Sequence, residues 1–74
     1  MSQYVFPIVI EHDEDGYFAQ CPSLQGCYTD GKTFEEVWRN IQEAVELHLE
    51  DRKAKGEPIP TPSPISLMNL EVSA

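Results

Sequence analysis

The densest chemistry in this sequence is the run Glu11-His12-Asp13-Glu14-Asp15. Carboxylates bind a divalent cation through oxygen, and a metal-dependent nuclease needs two or three of them converging on one point. These five residues are consecutive and run into Asp15-Gly16, a pair that favours a tight turn. Side chains spread along a hairpin tip fan out into water, so a solvated turn with His12 as its one base is the simpler reading. Cys21 and Cys27 are the two thiols. Neither has a basic neighbour or a helix N-terminus to lower its pKa, as a nucleophilic cysteine requires. They lack C-x-x-C spacing and stand at no metal-ligand spacing from His12 or His48. Small residues packed beneath a helix are the role their context favours. Gly16, Gly26 and Gly31 occur singly in separate turns and make no phosphate-cradling loop. No catalytic residue, metal site or cofactor is expected.

The elements that hold these residues follow from pattern and punctuation. Residues 3–11 alternate as a strand, with Tyr4, Phe6, Ile8 and Ile10 on one face and Val5 and Val9 on the other. Pro7 leaves one ladder position without a donor. Residues 17–21 form a second, antiparallel strand, a turn follows at 22–26, and residues 27–29 form a brief third strand closed by Asp30-Gly31. Thr33 and Glu36 have the spacing of a capping box, opening a helix over 33–55. Phe34, Val37, Trp38, Ile41, Ala44, Val45, His48 and Leu49 recur at three- and four-residue spacing as one apolar stripe. On that stripe Phe34 and Trp38 read as core, and His48 as a core or interface residue. Arg52, Lys53 and Lys55 suit the negative helix end, Gly56 the C′ position, and Pro58 stops the helix. Residues 57–64 carry a proline at every second position from Pro58, an extended, semi-rigid arm. Residues 65–72 read as a last strand, with Met68, Leu70 and Val72 on one face. The expected fold is α+β, β-β-β-α-β, an antiparallel sheet in the order 3-2-1-4 with the helix on one face.

Composition sets the class of partner. Seventy-four residues make one domain, 1–74, with a thin core. Thirteen Asp and Glu against five Lys and Arg give a net charge of −8, the wrong sign for phosphate, so direct nucleic-acid binding is not expected. A basic protein partner suits that sign. No apolar run approaches the ~20 residues of a membrane span, and Met1-Ser2-Gln3-Tyr4 opens no secretory signal. A cytoplasmic protein with reduced cysteines is the expectation. Val5, Val9, Met68, Leu70 and Val72 leave apolar surface uncovered in a monomer, which predicts a homodimer or homotetramer joined partly through the last strand.

The middle of the chain resembles the HicB-like antitoxin family. The resemblance rests on an ordered series: Asp15-Gly16-Tyr17, Cys21-Pro22-Ser23-Leu24-Gln25-Gly26-Cys27, Asp30-Gly31-Lys32-Thr33-Phe34-Glu35-Glu36, Asn40, Glu43-Ala44 and Gly56-Glu57-Pro58-Ile59-Pro60. It covers roughly residues 4–64. Ser23, Gln25 and Val37 depart from the family's usual Asp, Pro and Ala. The resemblance implies a truncated RNase H-like domain that binds and blocks a small basic HicA-like mRNA-cleaving toxin. Many family members add a C-terminal DNA-binding domain; nothing follows the last strand here, so no DNA-binding domain is expected. Toxin-contact candidates are Glu11, Asp13, Asp15, Glu43, Glu46 and Glu50 for steering, with Tyr17 and Tyr28 as anchors. Two other classes compete: an orphan homo-oligomeric interaction domain without a toxin, and a metal-dependent nuclease pairing Glu11 or Asp13 with Glu43 or Glu46.

Overall fold

Strand β1 (Val9–Asp13) turns back into β2 (Gly16–Gln20) in antiparallel register, with Ile10 opposite Ala19 and His12 opposite Tyr17. The turn closes because the Asp13 carboxylate accepts a 2.8 Å hydrogen bond from the Asp15 N–H, while Gly16 adopts φ +132°. β3 (Tyr28–Gly31) pairs antiparallel with the other side of β2, giving the order β1-β2-β3. The structure, a computed structural model, describes residues 4–61 and 64–74. Gln3 of the expected first strand and residues 62–63 of the proline-rich arm lie outside these.

The β2–β3 connection is part of the core. Cys21 N–H donates to the Cys27 carbonyl at 2.9 Å, Leu24 N–H to Cys21 at 3.0 Å, and Cys27 N–H to Leu24 at 3.1 Å. With its backbone satisfied, the loop can bury Cys21, Leu24 and Cys27 beside Ala19, Val37 and Ile41. Thiol burial at both cysteines is as the sequence suggests. Leu24 and Ala19 are core residues that the pattern does not announce, because a turn residue and a lone small strand residue carry no periodic signal.

Helix α1 (Phe34–Ala54) is capped as expected. Thr33 Oγ1 accepts from the Glu36 N–H at 3.1 Å. Glu36 lines a neighbouring cleft, and among the described residues the reciprocal half of the capping box is not formed. At the other end, Gly56 (φ +72°) donates to Lys53 and Glu57 to Arg52, the paired bonds of a Schellman cap. The helix lies over β3 and β2 and does not reach β1. Gly31 permits this seating, since a Cβ there would stand 2.6 Å from the Val37 backbone nitrogen.

Several expectations need correction. Strand β1 begins at Val9, not residue 3, because β2 ends at Gln20 and leaves nothing on that side for residues 4–8 to pair with. It extends through His12 and Asp13, so the turn is shorter than the acidic run. β3 runs on through Asp30 and Gly31 instead of stopping before them, as Gly31 pairs with Tyr17. Phe34 and Trp38 are not core: they stay 50% and 44% exposed. They lie on the flank of the helix turned away from Asn40, which is tied to β3. The stripe narrows to Val37 and Ile41, with Ala44, Val45 and Leu49 partly buried. Finally, residues 64–74 form no strand, so among the described residues no fourth strand pairs with β1.

Replacing Ile41 with Ala should cost about 2–5 kcal/mol in denaturant unfolding, the range for a buried large-to-small change. A loss under ~0.5 kcal/mol would show that the site is not core. Gly31→Ala should cost about 1–3 kcal/mol, as the helix N-terminus must lift off β3. Unchanged stability in the Gly31→Ala variant would contradict the close approach.

Candidate functional site

Alternation along the strands sorts the hairpin end of the sheet into two faces. Toward the helix lie His12, Tyr17 and Gly31; away from it lie Glu11, Asp13, Phe18 and Asp30, with Glu11 directly opposite Phe18 and Phe18 opposite Asp30. Around this end runs an open cleft of about 460 Å³. Five carboxylates line it, from Glu11, Asp13, Asp15, Asp30 and Glu36, against one cation, Lys32. Three segments contribute them: the β1–β2 hairpin, the end of β3 and the first turn of α1.

Aromatic rings fix the shape. The His12 ring stacks on Tyr17 at 4.1 Å between centroids and 11° between planes. Tyr17 in turn meets the edge of Phe34 at 6.1 Å, tying the hairpin to the helix N-terminus. His12 is therefore a strand residue held by stacking, not a free turn base. On the far face Phe18 and Tyr28 lie 5.9 Å apart, both exposed.

The candidates read from sequence divide accordingly. Glu11, Asp13, Asp15 and Tyr17 are brought together in the cleft. Tyr17 is half-buried and committed to His12 and Phe34, whereas Tyr28 stands exposed on the outer sheet face. Glu43, Glu46 and Glu50 are exposed on the outward side of α1, apart from the cleft. Of the interface candidates, Val5, Met68, Leu70 and Val72 are exposed and Val9 is half-buried. Sequence reasoning misses Asp30, Glu36 and Phe18. Asp30 reads as a strand terminator and Glu36 as a capping partner. Phe18 is overshadowed by Tyr17, although period-two alternation places it on the opposite face.

The chemistry open to this cleft is attraction of positive charge. Among the described residues, no group of three His, Cys, Asp or Glu side chains has a geometry that could hold a metal ion. Glu43 and Glu46, which a nuclease would need beside Glu11 or Asp13, are on another surface. Also among the described residues, no helix is long and apolar enough to cross a membrane.

Comparison with known proteins places this geometry. A family model described as the HicB_like antitoxin of bacterial toxin-antitoxin system matches residues 6–72. A "UPF0150 protein" of Helicobacter pylori (strain J99) is 59% identical over 46 residues, covering 62% of this chain and 64% of that protein. "Antitoxin HicB 2" of Photorhabdus laumondii is 34% identical over 73 residues, covering 93% of this chain but half of that protein. Among solved structures, a chain of a "HicA3 and HicB3 toxin-antitoxin complex" is similar with a TM-score of 0.66 and 32% identity, covering 81% of this chain and 70% of that one.

The two thiols titrate away from the cleft. Burial pushes Cys21 and Cys27 above the ordinary thiol value; the N–H groups of Ser23 and Leu24 offset part of this at Cys21, and Cys21 adds to it at Cys27. The neutral thiol is thus the form the fold favours. A raised folded-state pKa means that the folded chain holds its protons longer than the unfolded chain, so stability is complete below the unfolded thiol pKa and falls as pH rises through the folded one. Unfolding free energy should decline on the alkaline side, from about pH 8.5 upward. Both thiols should resist alkylation at pH 7 until denaturant is added. Rapid labelling of native protein would contradict their burial.

Proposed function

The chain belongs to the HicB-like antitoxin family, and from that premise we propose that it binds and neutralises a small basic HicA-like toxin that cleaves mRNA. The observation that carries this reading is the cleft, where five carboxylates from three segments face outward around one lysine. A toxin that cleaves RNA needs a positive groove for its substrate. A protein of net charge −8 with such a cleft competes for that groove by charge mimicry.

In this proposal Glu11, Asp13, Asp15, Asp30 and Glu36 speed and select the encounter, with Glu43, Glu46 and Glu50 extending the negative field along α1. Exposed aromatic groups, Tyr28 and Phe18, anchor the docked pair, because apolar anchors hold a complex that charges have steered. Tyr17 shapes the cleft wall. The protein acts by binding and not by catalysis, contacts no nucleic acid directly, and works in the cytoplasm as a single HicB-like domain. A truncated RNase H-like sheet, completed by residues 65–72 as a last strand, is part of the same proposal. So is assembly into a homodimer or homotetramer, supported by the exposure of Val5, Met68, Leu70 and Val72.

The test is co-purification with any small basic protein encoded beside this one, followed by calorimetric titration at low and high salt. Screening shortens from ~10 Å at 0.1 M to ~3 Å at 1 M ionic strength, so affinity should fall as salt rises. Glu11→Gln with Asp30→Asn should slow association more than it speeds dissociation. Affinity indifferent to salt would overturn the electrostatic mechanism, and failure to bind that neighbour would favour an orphan homo-oligomer. Mg²⁺-dependent RNA cleavage lost in Asp13→Asn/Asp15→Asn would overturn the non-catalytic role.

A further inference from the structure

Away from the acidic cleft, the helix leaves a second feature unsatisfied. Asn40 Nδ2 donates to the Asp30 carbonyl at 3.0 Å, pinning one flank of α1 over β3. On the other flank Phe34, Trp38, Val45 and Leu49 follow one another at four- and seven-residue spacing. The helix does not reach β1, so Ile8 and Ile10 beneath that flank are only partly buried. The result is incompletely covered apolar surface between β1 and α1, here called the groove, bordered by a β1 edge that pairs with no strand among the described residues. An open strand edge beside apolar surface is a template for another strand.

The same chain carries a strand-forming segment without a seat. Leu67, Met68 and Leu70 are 86–87% exposed and Val72 is 71% exposed. Within one chain, residues 64–74 take no strand position beside β1. Arg52 Nη1 donates to the Pro58 carbonyl at 3.1 Å, and Thr61 and Ile65 then border a shallow depression with Pro22 and Ser23, at the β2–β3 connection. Charge narrows the occupant further. Two copies of net charge −8 repel except where charge is sparse, and residues 58–70 contain no charged side chain. A basic toxin would gain little there from its charge, whereas a second copy brings an alternating strand whose one charge, Glu71, falls on the face opposite Met68, Leu70 and Val72.

We propose that two copies exchange tails: residues 65–72 of each add as a strand to the β1 edge of the other, with Met68, Leu70 and Val72 entering the groove beside Ile8, Ile10 and Trp38. This deepens the self-association proposed above and rests on it. The exchange completes the sheet and covers Trp38.

Sedimentation of the full chain and of Leu70→Asp, with isotope-filtered NOE spectra on a mixture of labelled and unlabelled protein, tests the exchange. The wild type should sediment at a multiple of 8.4 kDa, with cross-copy NOEs between the Leu70 or Val72 methyls and those of Ile8 or Ile10. Leu70→Asp should shift the protein to the 8.4 kDa species while its helical circular dichroism is retained. A wild-type monomer would overturn self-association and the exchange together. An oligomer that survives Leu70→Asp, or whose tail NOEs all arise within one copy, would overturn the exchange alone.

Discussion

The close approach of α1 to β3 at Gly31 governs much else in this molecule. With no side chain at that position, the backbone of Val37 descends onto the strand, where a Cβ would lie 2.6 Å from its nitrogen. Asn40 then locks the helix to the Asp30 carbonyl. A helix anchored this far toward β3 buries Val37 and Ile41 against Ala19 and the 21–27 loop, and in consequence it cannot cover β1. One steric fact thus fixes the core, brings Glu36 to the cleft, and opens the groove under Trp38.

Charge and apolarity are thereby separated along the sheet. The hairpin end gathers five carboxylates, held in place by the His12–Tyr17–Phe34 rings. The opposite end carries the helix C-terminus, the cation of Lys53 over the Tyr4 ring at 5.9 Å, and a tail neutral from 58 to 70. Hydrated carboxylates steer a partner over a Debye length but contribute little holding energy. Apolar strands and grooves hold without steering. Under the proposed function the two ends do different work, recognition at one and assembly at the other, and neither interferes with the other.

Much of this is legible in the residues. Turn chemistry at Asp15-Gly16, the Thr33 cap, the Gly56 stop and the apolar period of α1 are local signals, and each element stands close to where they put it. The inward roles of Cys21 and Cys27 are legible too. Periodicity gives the direction of a stripe but not its width: whether Phe34 and Trp38 are covered depends on where the helix sits across the sheet, a long-range matter decided at Gly31. Leu24 sits in a turn whose burial depends on three backbone hydrogen bonds, which no side-chain pattern announces. In the cleft, the hairpin acids are visible as a cluster, while Asp30 and Glu36 join them only through strand pairing and helix placement. Alternation over residues 65–72 reads as a strand, yet none forms there within one chain, because a strand also needs a partner edge that alternation does not name.

Amide hydrogen exchange, on the protein alone and with a basic HicA-like protein added, tests the division of labour most directly. The account predicts that residues 65–72 and the β1 edge are protected in the free protein and unchanged on binding. New protection should appear in the hairpin, β3 and the first turn of α1. If the tail gained protection only when the partner bound, while the hairpin end stayed as it was, the assignment of recognition to the acidic end would be contradicted.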